Sequence, residues 1–269
     1  MEGSEVNGLT NGGDGVMGQT YLERLQKGKG NRQVICFPYL GGHSRSFQPL
    51  VPYLPDVEIW AFTPPGHGLN TEAPLEHMQQ LVELYTDELL AVIKPGATLL
   101  GHSLGGLAAY FVAQRLQQAI PDTSRTLRLV LSACSTPAEC GIHRYDQMSD
   151  DDLIEHLFSY DGLPKELIHE KELLHYFMPV IRADFRLLAS ATTLEHQPMS
   201  VPVLYLWGER DNAVPLQSAL KWGRYFDTQM KLQTIREGTH MFIMHQPSTV
   251  AYYLTSFMTP ELERLNLVE

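Results

Sequence analysis

One serine lies in a sequence context that is typical of an activated nucleophile. Ser103 is the central residue of the pentapeptide GHSLG at 101–105, which follows an apolar run and opens a segment of helical period. Such a strand-to-helix turn is the context required of a nucleophile elbow. Glycines at its two ends avoid collisions with neighbouring backbone, and the amides of the new helix point to where an oxyanion would form. The pattern predicts covalent catalysis by the Ser103 hydroxyl.

A histidine and an acid further along the chain would complete this chemistry. A serine hydroxyl is a poor nucleophile unless a base removes its proton, and that base needs an orienting carboxylate. Asp211 follows the apolar run at 203–208, and His240 follows a weaker run at 230–235. We therefore predict a triad of Ser103, Asp211 and His240, whose order along the chain is that of α/β-hydrolases rather than of the chymotrypsin or subtilisin arrangements.

Other side chains compete for the roles of acid and base. Asp211 has the alternative of being an ordinary turn residue, with Glu209 as a substitute acid. His245 is the nearest rival of His240, but five residues on a helix rotate a side chain by about 140°, so both cannot face the serine. We favour His240 because it stands in the loop directly after a strand. His102, next to the nucleophile, is expected to be structural.

A second glycine-containing segment is a candidate for the oxyanion hole. The sequence FPYLGG at 37–42 follows the first apolar run, where an α/β-hydrolase places the loop that donates the second oxyanion amide. Its glycines let the backbone approach a substrate closely. The alternative is a simple turn that ends a strand.

Metal binding is not expected. His169 and Glu170 begin like an HExxH motif, but Leu173 stands where the second ligand should be, and the next histidine is His175. The chain has three cysteines, Cys36, Cys134 and Cys140, and no two of them form a CxxC pair. Reduced thiols in a cytosolic protein are the simplest interpretation of that spacing.

The candidate residues need a scaffold that brings distant parts of the chain together. Short β-rich apolar runs alternate with longer segments of helical period, which is the pattern of a parallel sheet covered by helices, an α/β fold. Strands are predicted at 34–37, 57–62, 98–102, 127–132, 203–208 and 230–235, and helices at 75–93 and 104–118. The serine, the aspartate and the histidine then lie at carboxyl ends of strands, where open parallel sheets place their sites.

The chain is predicted to have three parts. Residues 1–20 contain six glycines and almost no large apolar side chains, so we predict a flexible tail. Residues 21–135 and 197–269 are expected to form the core. The interval at 136–196 is too long for an ordinary crossover between strands, so it is predicted to be a helical lid inserted into the core.

Two apolar stripes lie within this insertion. They consist of Leu153, Ile154, Leu157 and Phe158, and of Leu173, Leu174, Phe177 and Met178. Ser149 and the three aspartates after it can cap the first helix. Such stripes most often pack a helix onto its domain. The alternative is that part of this surface lines a channel for a fatty or polyketide-like chain.

Charge and hydropathy limit the classes of partner. The chain has 269 residues, of which 20 are basic and 31 acidic, and a net charge of −11 would repel a nucleic acid. No apolar run approaches the ~18 residues that cross a bilayer. The N-terminus lacks a basic segment followed by an apolar one. We therefore expect no membrane partner and no export, and we predict a cytoplasmic location.

Five segments, in order and in spacing, resemble the type II, or external, thioesterases of nonribosomal peptide and polyketide synthesis. They are FPYLGG at 37–42, PPGHG at 64–68, GHSLGG at 101–106, GERD at 208–211 and GTH at 238–240, and the resemblance covers residues 31–258. It implies an α/β-hydrolase fold with a helical lid. It also implies hydrolysis of acyl groups from the phosphopantetheine arm of an acyl or peptidyl carrier protein, for editing or product release. No cofactor and no metal are implied.

Carried over position by position, the resemblance assigns roles to five residues. Ser103 looks like the nucleophile, His240 like the general base and Asp211 like its orienting partner. The backbone N–H groups of Leu40 and Leu104 look like the oxyanion hole.

The sequence departs from that family at two points and leaves two other functions open. PGH at 65–67 stands where many members have PGR, and GTH at 238–240 stands where GGH is usual. One alternative is an esterase or lipase-like hydrolase of a free small-molecule ester, which would use the same triad. The other is a non-catalytic, ligand-binding relative of the fold.

Overall fold

Seven strands form one mixed sheet in the computed structural model of the chain, which describes residues 20–124, 126–141, 145–163, 167 and 169–259. The strands are β1 (Leu22–Gln26), β2 (Gln33–Phe37), β3 (Glu58–Phe62), β4 (Thr98–His102), β5 (Arg128–Ser132), β6 (Val203–Gly208) and β7 (Lys231–Ile235). Their order across the sheet is β1-β3-β2-β4-β5-β6-β7. Only β1 runs antiparallel to its neighbour, β3. The predicted α/β class is confirmed.

The six predicted strands agree with β2 to β7 to within one residue at each end. The first strand, β1, is missing from the sequence prediction. Its five residues, LERLQ, place two leucines among polar and charged side chains, and only Leu22 is buried. Such a composition suits an edge strand, which has one neighbour in the sheet, but it gives no continuous apolar run to detect.

Eight α-helices accompany the sheet in these ranges. They are α1 (Met78–Leu90), α2 (Leu104–Ala119), α3 (Pro121–Ser124), α4 (Asp150–Ser159), α5 (Lys171–Ser190), α6 (Leu216–Lys221), α7 (Phe242–His245) and α8 (Pro247–Met258). The two predicted helices correspond to α1 and α2. Helix α1 is three residues shorter than predicted at each end, because the backbone of His77 before it is extended and a turn follows it.

Alternate residues of the central strands point into two separate cores. In β2, Ile35 and Phe37 pack with α1 and α2 on one face of the sheet, whereas Val34 and Cys36 pack with α8 on the other. Every residue of β2 is consequently buried. This is the burial expected of a parallel strand whose two faces are both covered by helices.

The interval between β5 and β6 contains α4 and α5 and has a small apolar core of its own. Leu153 and Leu157 of α4 are buried there with Met178, Ile181 and Phe185 of α5. The Ser149 hydroxyl accepts a hydrogen bond from the backbone N–H of Asp152, so it caps α4 as the sequence predicts. The first predicted stripe therefore packs helix on helix.

The second predicted stripe is divided between the interior and the surface. Leu174 and Met178 are buried, but Leu173 is 42% exposed and Phe177 is 45% exposed. Packing alone therefore does not account for the apolar residues of α5. The interpretation of this second stripe as part of a lid stays a prediction.

The predicted tail lies outside the described residues, except for Thr20 at its end. The boundaries of the three predicted parts also stay a prediction, because several positions within them lie outside the described residues. Among the helices of the described ranges, none is long and apolar enough to cross a bilayer.

All three cysteines are free thiols. Burial raises the pKa of Cys36, and burial together with the nearby Cys140 raises that of Cys134 well above its ordinary value. Burial, with a smaller contribution from Glu139, raises the pKa of Cys140 to about 12. The reactive thiolate form of each cysteine is therefore suppressed at neutral pH.

Candidate active site

Ser103 occupies a strained turn between β4 and α2. Its φ and ψ angles are 52° and −121°, a region that residues with a Cβ rarely adopt. The Ser103 N–H donates to the carbonyl of Ser132 at 2.8 Å. A Cβ at Gly101 would lie only 2.0 Å from the carbonyl oxygen of Gly105, so the turn needs glycine there. A tight elbow thus carries the hydroxyl at the carboxyl end of β4.

Three predicted side chains form one continuous path of hydrogen bonds. His240 Nε2 lies 3.1 Å from Ser103 Oγ, and His240 Nδ1 lies 3.0 and 3.1 Å from the two carboxylate oxygens of Asp211. Because a carboxylate only accepts, Nδ1 carries the ring proton and the Nε2 lone pair faces the serine hydroxyl. His240 and Asp211 are both buried. The arrangement suits proton transfer from the serine to the imidazole.

Backbone hydrogen bonds hold the acid and the base at neighbouring strand ends. Asp211 follows β6, and its Oδ1 accepts from the backbone N–H groups of Ala213 at 2.9 Å and Val214 at 3.0 Å. The loops after β6 and β7 are joined by a 2.8 Å bond from the Arg210 N–H to the Gly238 carbonyl. Two residues far apart in sequence meet because parallel strands end at the same edge.

The competing side chains lie elsewhere. Glu209 is exposed, and its carboxylate accepts a 2.9 Å bond from the backbone N–H of Glu237. His245 is the last residue of α7 and lines a cavity.

In the part of the chain that the structure describes, no group of three or more histidine, cysteine or acidic side chains is placed to hold a metal ion.

His102 packs behind the base. Its Nδ1 lies 2.8 Å from Ser132 Oγ, and its ring centroid is 5.5 Å from that of His240. Burial, reinforced by the neighbouring His240, lowers the pKa of His102 well below its usual value. This neutral ring therefore supports the imidazole of His240 without adding a charge, in agreement with the structural role expected of it.

The loop after β2 is in backbone contact with the elbow. A Cβ at Gly105 would lie 2.0 Å from the carbonyl oxygen of Phe37. Leu104, directly after the serine, is the first residue of α2, where an amide has no partner within the helix. The loop predicted to supply one oxyanion amide and the helix predicted to supply the other are therefore adjacent.

Leu40 lies in a tight turn within this loop. The turn is closed by a 2.8 Å bond from the Gly42 N–H to the Tyr39 carbonyl. Gly41 has φ of +72°, a conformation that favours glycine. The Gly41 N–H points away from the turn and donates to Asp184 Oδ2 at 2.7 Å. The backbone around Leu40 is consequently anchored to α5.

Sequence reasoning misses three side chains near the site. Asp184 also contacts His67, with 3.0 Å between Asp184 Oδ2 and His67 Nε2. The Tyr160 ring lies edge to face against His240, with centroids 5.1 Å apart. His67 carries a signal, because it belongs to the PPGHG segment. Asp184 and Tyr160 carry none, since nothing local marks a residue of the insertion as a neighbour of the core loops.

A cavity of about 1380 Å³ adjoins the loop after β2. Its apolar wall comes from the insertion and is formed by Leu163, Leu167, Leu174, Phe177, Val180 and Ile181. Tyr39, Leu40 and Met241 contribute to the opposite walls. Part of the apolar surface of α5 thus faces an open space next to the candidate oxyanion loop.

The strain at Ser103 predicts that two small substitutions at this position differ in their effect on stability. Both Ser103→Gly and Ser103→Ala remove the hydroxyl, but only glycine relieves the φ strain, which costs about 1–3 kcal/mol. The greater freedom of unfolded glycine offsets about 0.5–1 kcal/mol of that gain. We expect the glycine variant to unfold with a free energy about 1 kcal/mol above that of the alanine variant in urea titrations. An alanine variant of equal or greater stability would contradict this.

Comparison with known proteins identifies the family. The thioesterase-domain family matches residues 32–257. The gramicidin S biosynthesis protein GrsT of Aneurinibacillus migulanus is 26% identical, over 86% of this chain and 88% of its own length. RedJ, a thioesterase from the prodiginine pathway of Streptomyces coelicolor, is 26% identical, with a TM-score of 0.77 and coverage of 84% of this chain and 85% of RedJ. YbtT, a type II thioesterase from the yersiniabactin NRPS/PKS pathway, is 25% identical, with a TM-score of 0.76 and coverage of 88% and 98%. The chain therefore belongs to the thioesterase family: it is a hydrolase with the α/β-hydrolase fold, and type II thioesterases are among its relatives.

Proposed function

We propose that this thioesterase removes acyl groups from the phosphopantetheine arm of an acyl or peptidyl carrier protein in nonribosomal peptide or polyketide synthesis. The observation that carries the proposal is the hydrogen-bond path from Asp211 through His240 to the Ser103 hydroxyl. The roles of GrsT, RedJ and YbtT in gramicidin S, prodiginine and yersiniabactin synthesis support the pathway. The carrier protein is the proposed partner, and the cytoplasm stays the predicted location.

The proposed mechanism is acyl transfer in two steps. His240 Nε2 takes the proton of Ser103 as the hydroxyl oxygen attacks the thioester carbonyl, and Asp211 stabilises the resulting imidazolium. The backbone N–H groups of Leu40 and Leu104 donate to the tetrahedral oxyanion. The C–S bond then breaks, and the imidazolium returns the proton to the departing thiol. Water, deprotonated by His240, hydrolyses the acyl-serine and releases the carboxylic acid. No cofactor or metal takes part.

The apolar cavity is the proposed site of the acyl chain. It borders Leu40 of the oxyanion loop, and its wall on α5 is lined by aliphatic and aromatic side chains. Burying each methylene of a substrate contributes about 0.8 kcal/mol. A cavity of this size, next to the carbonyl site, supports fatty or polyketide-like chains as substrates. The insertion would then act as the lid that the sequence predicts.

A bulky residue in this wall is expected to select against long chains. Val180 is partly buried and lines the cavity, so Val180→Trp fills space that an extended chain would occupy. We expect kcat/KM for an octanoyl carrier thioester to fall about tenfold or more, and kcat/KM for the acetyl thioester to fall less than about threefold. Tyr176→Trp is the matched control, because Tyr176 lies on the same helix but is exposed to solvent. Equal losses for both chain lengths would contradict the assignment.

The proposed function is tested with a panel of acylated carrier proteins. Each carrier is incubated with the wild type and with Ser103→Ala, and deacylation of the phosphopantetheine arm is followed by mass spectrometry. We expect the wild type alone to release acyl groups. A wild type that deacylates no carrier, but hydrolyses the same acyl group on a free alcohol, would indicate an esterase instead. Failure of Ser103 to react with a fluorophosphonate would indicate a non-catalytic relative.

A further inference from the structure

A buried carboxylate connects the insertion to the loop after β2. Asp184 of α5 is only 1% exposed. Its Oδ2 accepts from the backbone N–H of Gly41 at 2.7 Å and lies 3.0 Å from His67 Nε2. Gly41 is the neighbour of Leu40, one of the two candidate oxyanion donors. One oxygen atom therefore joins three segments of the chain beside the active site.

His67 has a hydrogen-bond acceptor on each side of its ring. It is 3% exposed, with Nδ1 2.9 Å from the carbonyl oxygen of Pro65 and Nε2 3.0 Å from Asp184 Oδ2. A carbonyl and a carboxylate can only accept, whereas a neutral imidazole has a single N–H. Both bonds form together only when the ring carries two protons. With Asp184 ionised, this geometry indicates the imidazolium form of His67.

Two other titratable side chains face this pair, and neither of them carries a charge at pH 7. His43, from the loop after β2, faces His67, and its pKa is lowered by burial and then by His67 itself. Tyr85, from α1, faces Asp184, and burial with that carboxylate raises the pKa of its phenol well above 10. Both side chains are therefore neutral at pH 7. The remaining partners, Gly41 and Pro65, contribute only backbone groups.

We propose that His67 is a buried imidazolium and that its ion pair with Asp184 positions the oxyanion loop through the Gly41 N–H. The proposal rests on the proposed function, because it gives the neighbouring Leu40 amide a catalytic role. His67 is a positioning residue here: it lines the cavity proposed for the acyl chain, but it acts on the reaction through Asp184 and the Gly41 N–H rather than by contact with the triad.

Rising pH is expected to disable the pair. Burial alone would lower the pKa of His67, but the charge and hydrogen bond of Asp184, with the Pro65 carbonyl, outweigh it and raise that pKa above 6.5. The ion pair is therefore complete below this pKa and is lost as the pH rises through it. Deprotonation removes one of the two ring hydrogen bonds and leaves the Asp184 carboxylate buried without a cation. The anchor of the oxyanion loop then weakens, and kcat falls on the alkaline side.

Two substitutions of His67 test this with thioester hydrolysis measured from pH 6 to 10. His67→Gln removes the charge, and we expect kcat at pH 7 to fall about 10–100-fold with KM within about threefold, since one whole oxyanion donor is worth about 10²–10³-fold. His67→Arg keeps the positive charge at every pH in this range. Its kcat at pH 7 should therefore lie within about tenfold of the wild-type value, and its pH profile should lack the alkaline decline of the wild type. His77→Gln, at an exposed histidine, is the matched control and should keep the wild-type profile.

The protonation state of His67 has a readout that is independent of activity. In ¹⁵N-histidine-labelled protein, with the signal assigned by its loss in His67→Gln, both ring nitrogens should be protonated at pH 7. The titration should move to lower pH in Asp184→Asn, which keeps an acceptor oxygen but no charge. A neutral His67 at pH 7 overturns the proposal, as does a His67→Gln variant with wild-type kcat and pH profile. If His67→Arg does not fold, these two outcomes still test the proposal.

The failure of the proposed function can be told apart from the failure of the ion pair. Phosphonylation of Ser103 by a fluorophosphonate requires the oxyanion hole but no carrier protein. If the wild type deacylates no carrier, while His67→Gln still slows phosphonylation about tenfold or more, the carrier substrate is wrong and the ion pair stands. If carriers are deacylated equally by the wild type and His67→Gln, the thioesterase function stands and the ion pair is overturned.

Discussion

Replacing His240 by alanine is expected to reduce kcat for thioester hydrolysis about 10⁵–10⁶-fold, because the Ser103 hydroxyl then has no base 3.1 Å away. Asp211→Asn is expected to cost about 10⁴-fold, since it removes the carboxylate that fixes the imidazole tautomer. The double variant Ser103→Ala/His240→Ala should be no worse than either single variant, because the three groups act as a unit. Steady-state and single-turnover kinetics on one acyl-carrier substrate measure the wild type and the four variants, Ser103→Ala included.

Glu209→Gln is the matched control for the acid. Glu209 lies two residues before Asp211 in the same loop, but it is exposed and bonds to the Glu237 N–H instead of to the base. Its amide variant should keep kcat within about twofold. A loss near that of Asp211→Asn would move the role of acid from Asp211 to Glu209 and contradict the observed geometry.

Gly105→Ala is expected to lower the free energy of unfolding by more than about 3 kcal/mol. The added Cβ would lie 2.0 Å from the carbonyl oxygen of Phe37 and 2.6 Å from that of Pro38. Both obstacles are backbone atoms, which cannot rotate away as a side chain can, so the loop or the helix must move. Thermal unfolding should shift down by about 6–12 °C for that loss in a chain of this size, and the displaced oxyanion loop should abolish activity.

Gly223→Ala provides the comparison for the same chemical change. Gly223 lies in a 3-10 turn, and apart from its chain neighbours and the backbone of that turn, no heavy atom stands within 4 Å of a Cβ built there. Its replacement should leave stability unchanged or raise it by up to about 1 kcal/mol through the unfolded state. Equal destabilisation of the two variants would mean that the contact of Gly105 with the loop has no special cost.

The parts of this structure that sequence predicts well are those with a local signal. Five strands, β2 to β6, contain continuous apolar runs and β7 a weaker one, and Gly101 and Gly105 flank Ser103 because a Cβ at either position would collide with backbone. Asp211 and His240 could be located because each directly follows such a run. The fold then needs only the rule that parallel strands end at one edge to bring three distant residues together.

The parts that sequence does not predict depend on contacts between distant segments. The bond between His67 and Asp184 joins residues 117 positions apart, and although His67 belongs to a recognisable segment, nothing in the sequence marks Asp184 as its partner. Phe177 follows the helical period of a buried stripe, yet its side chain is 45% exposed, because α5 borders a cavity on that side. The helical spacing of apolar residues predicts which face of a helix is apolar, but it does not predict whether that face packs against protein or borders a cavity.

The raised pKa values of the three cysteines have a practical consequence for the study of this enzyme. Thioester cleavage liberates a sulfhydryl, and aromatic disulfide reagents turn that product into a coloured anion in real time. Only thiolates attack such reagents, and Cys36, Cys134 and Cys140 all hold their protons at neutral pH. The enzyme's own cysteines should therefore give no signal with such a reagent. Turnover can then be followed continuously without blocking these thiols or replacing the cysteines.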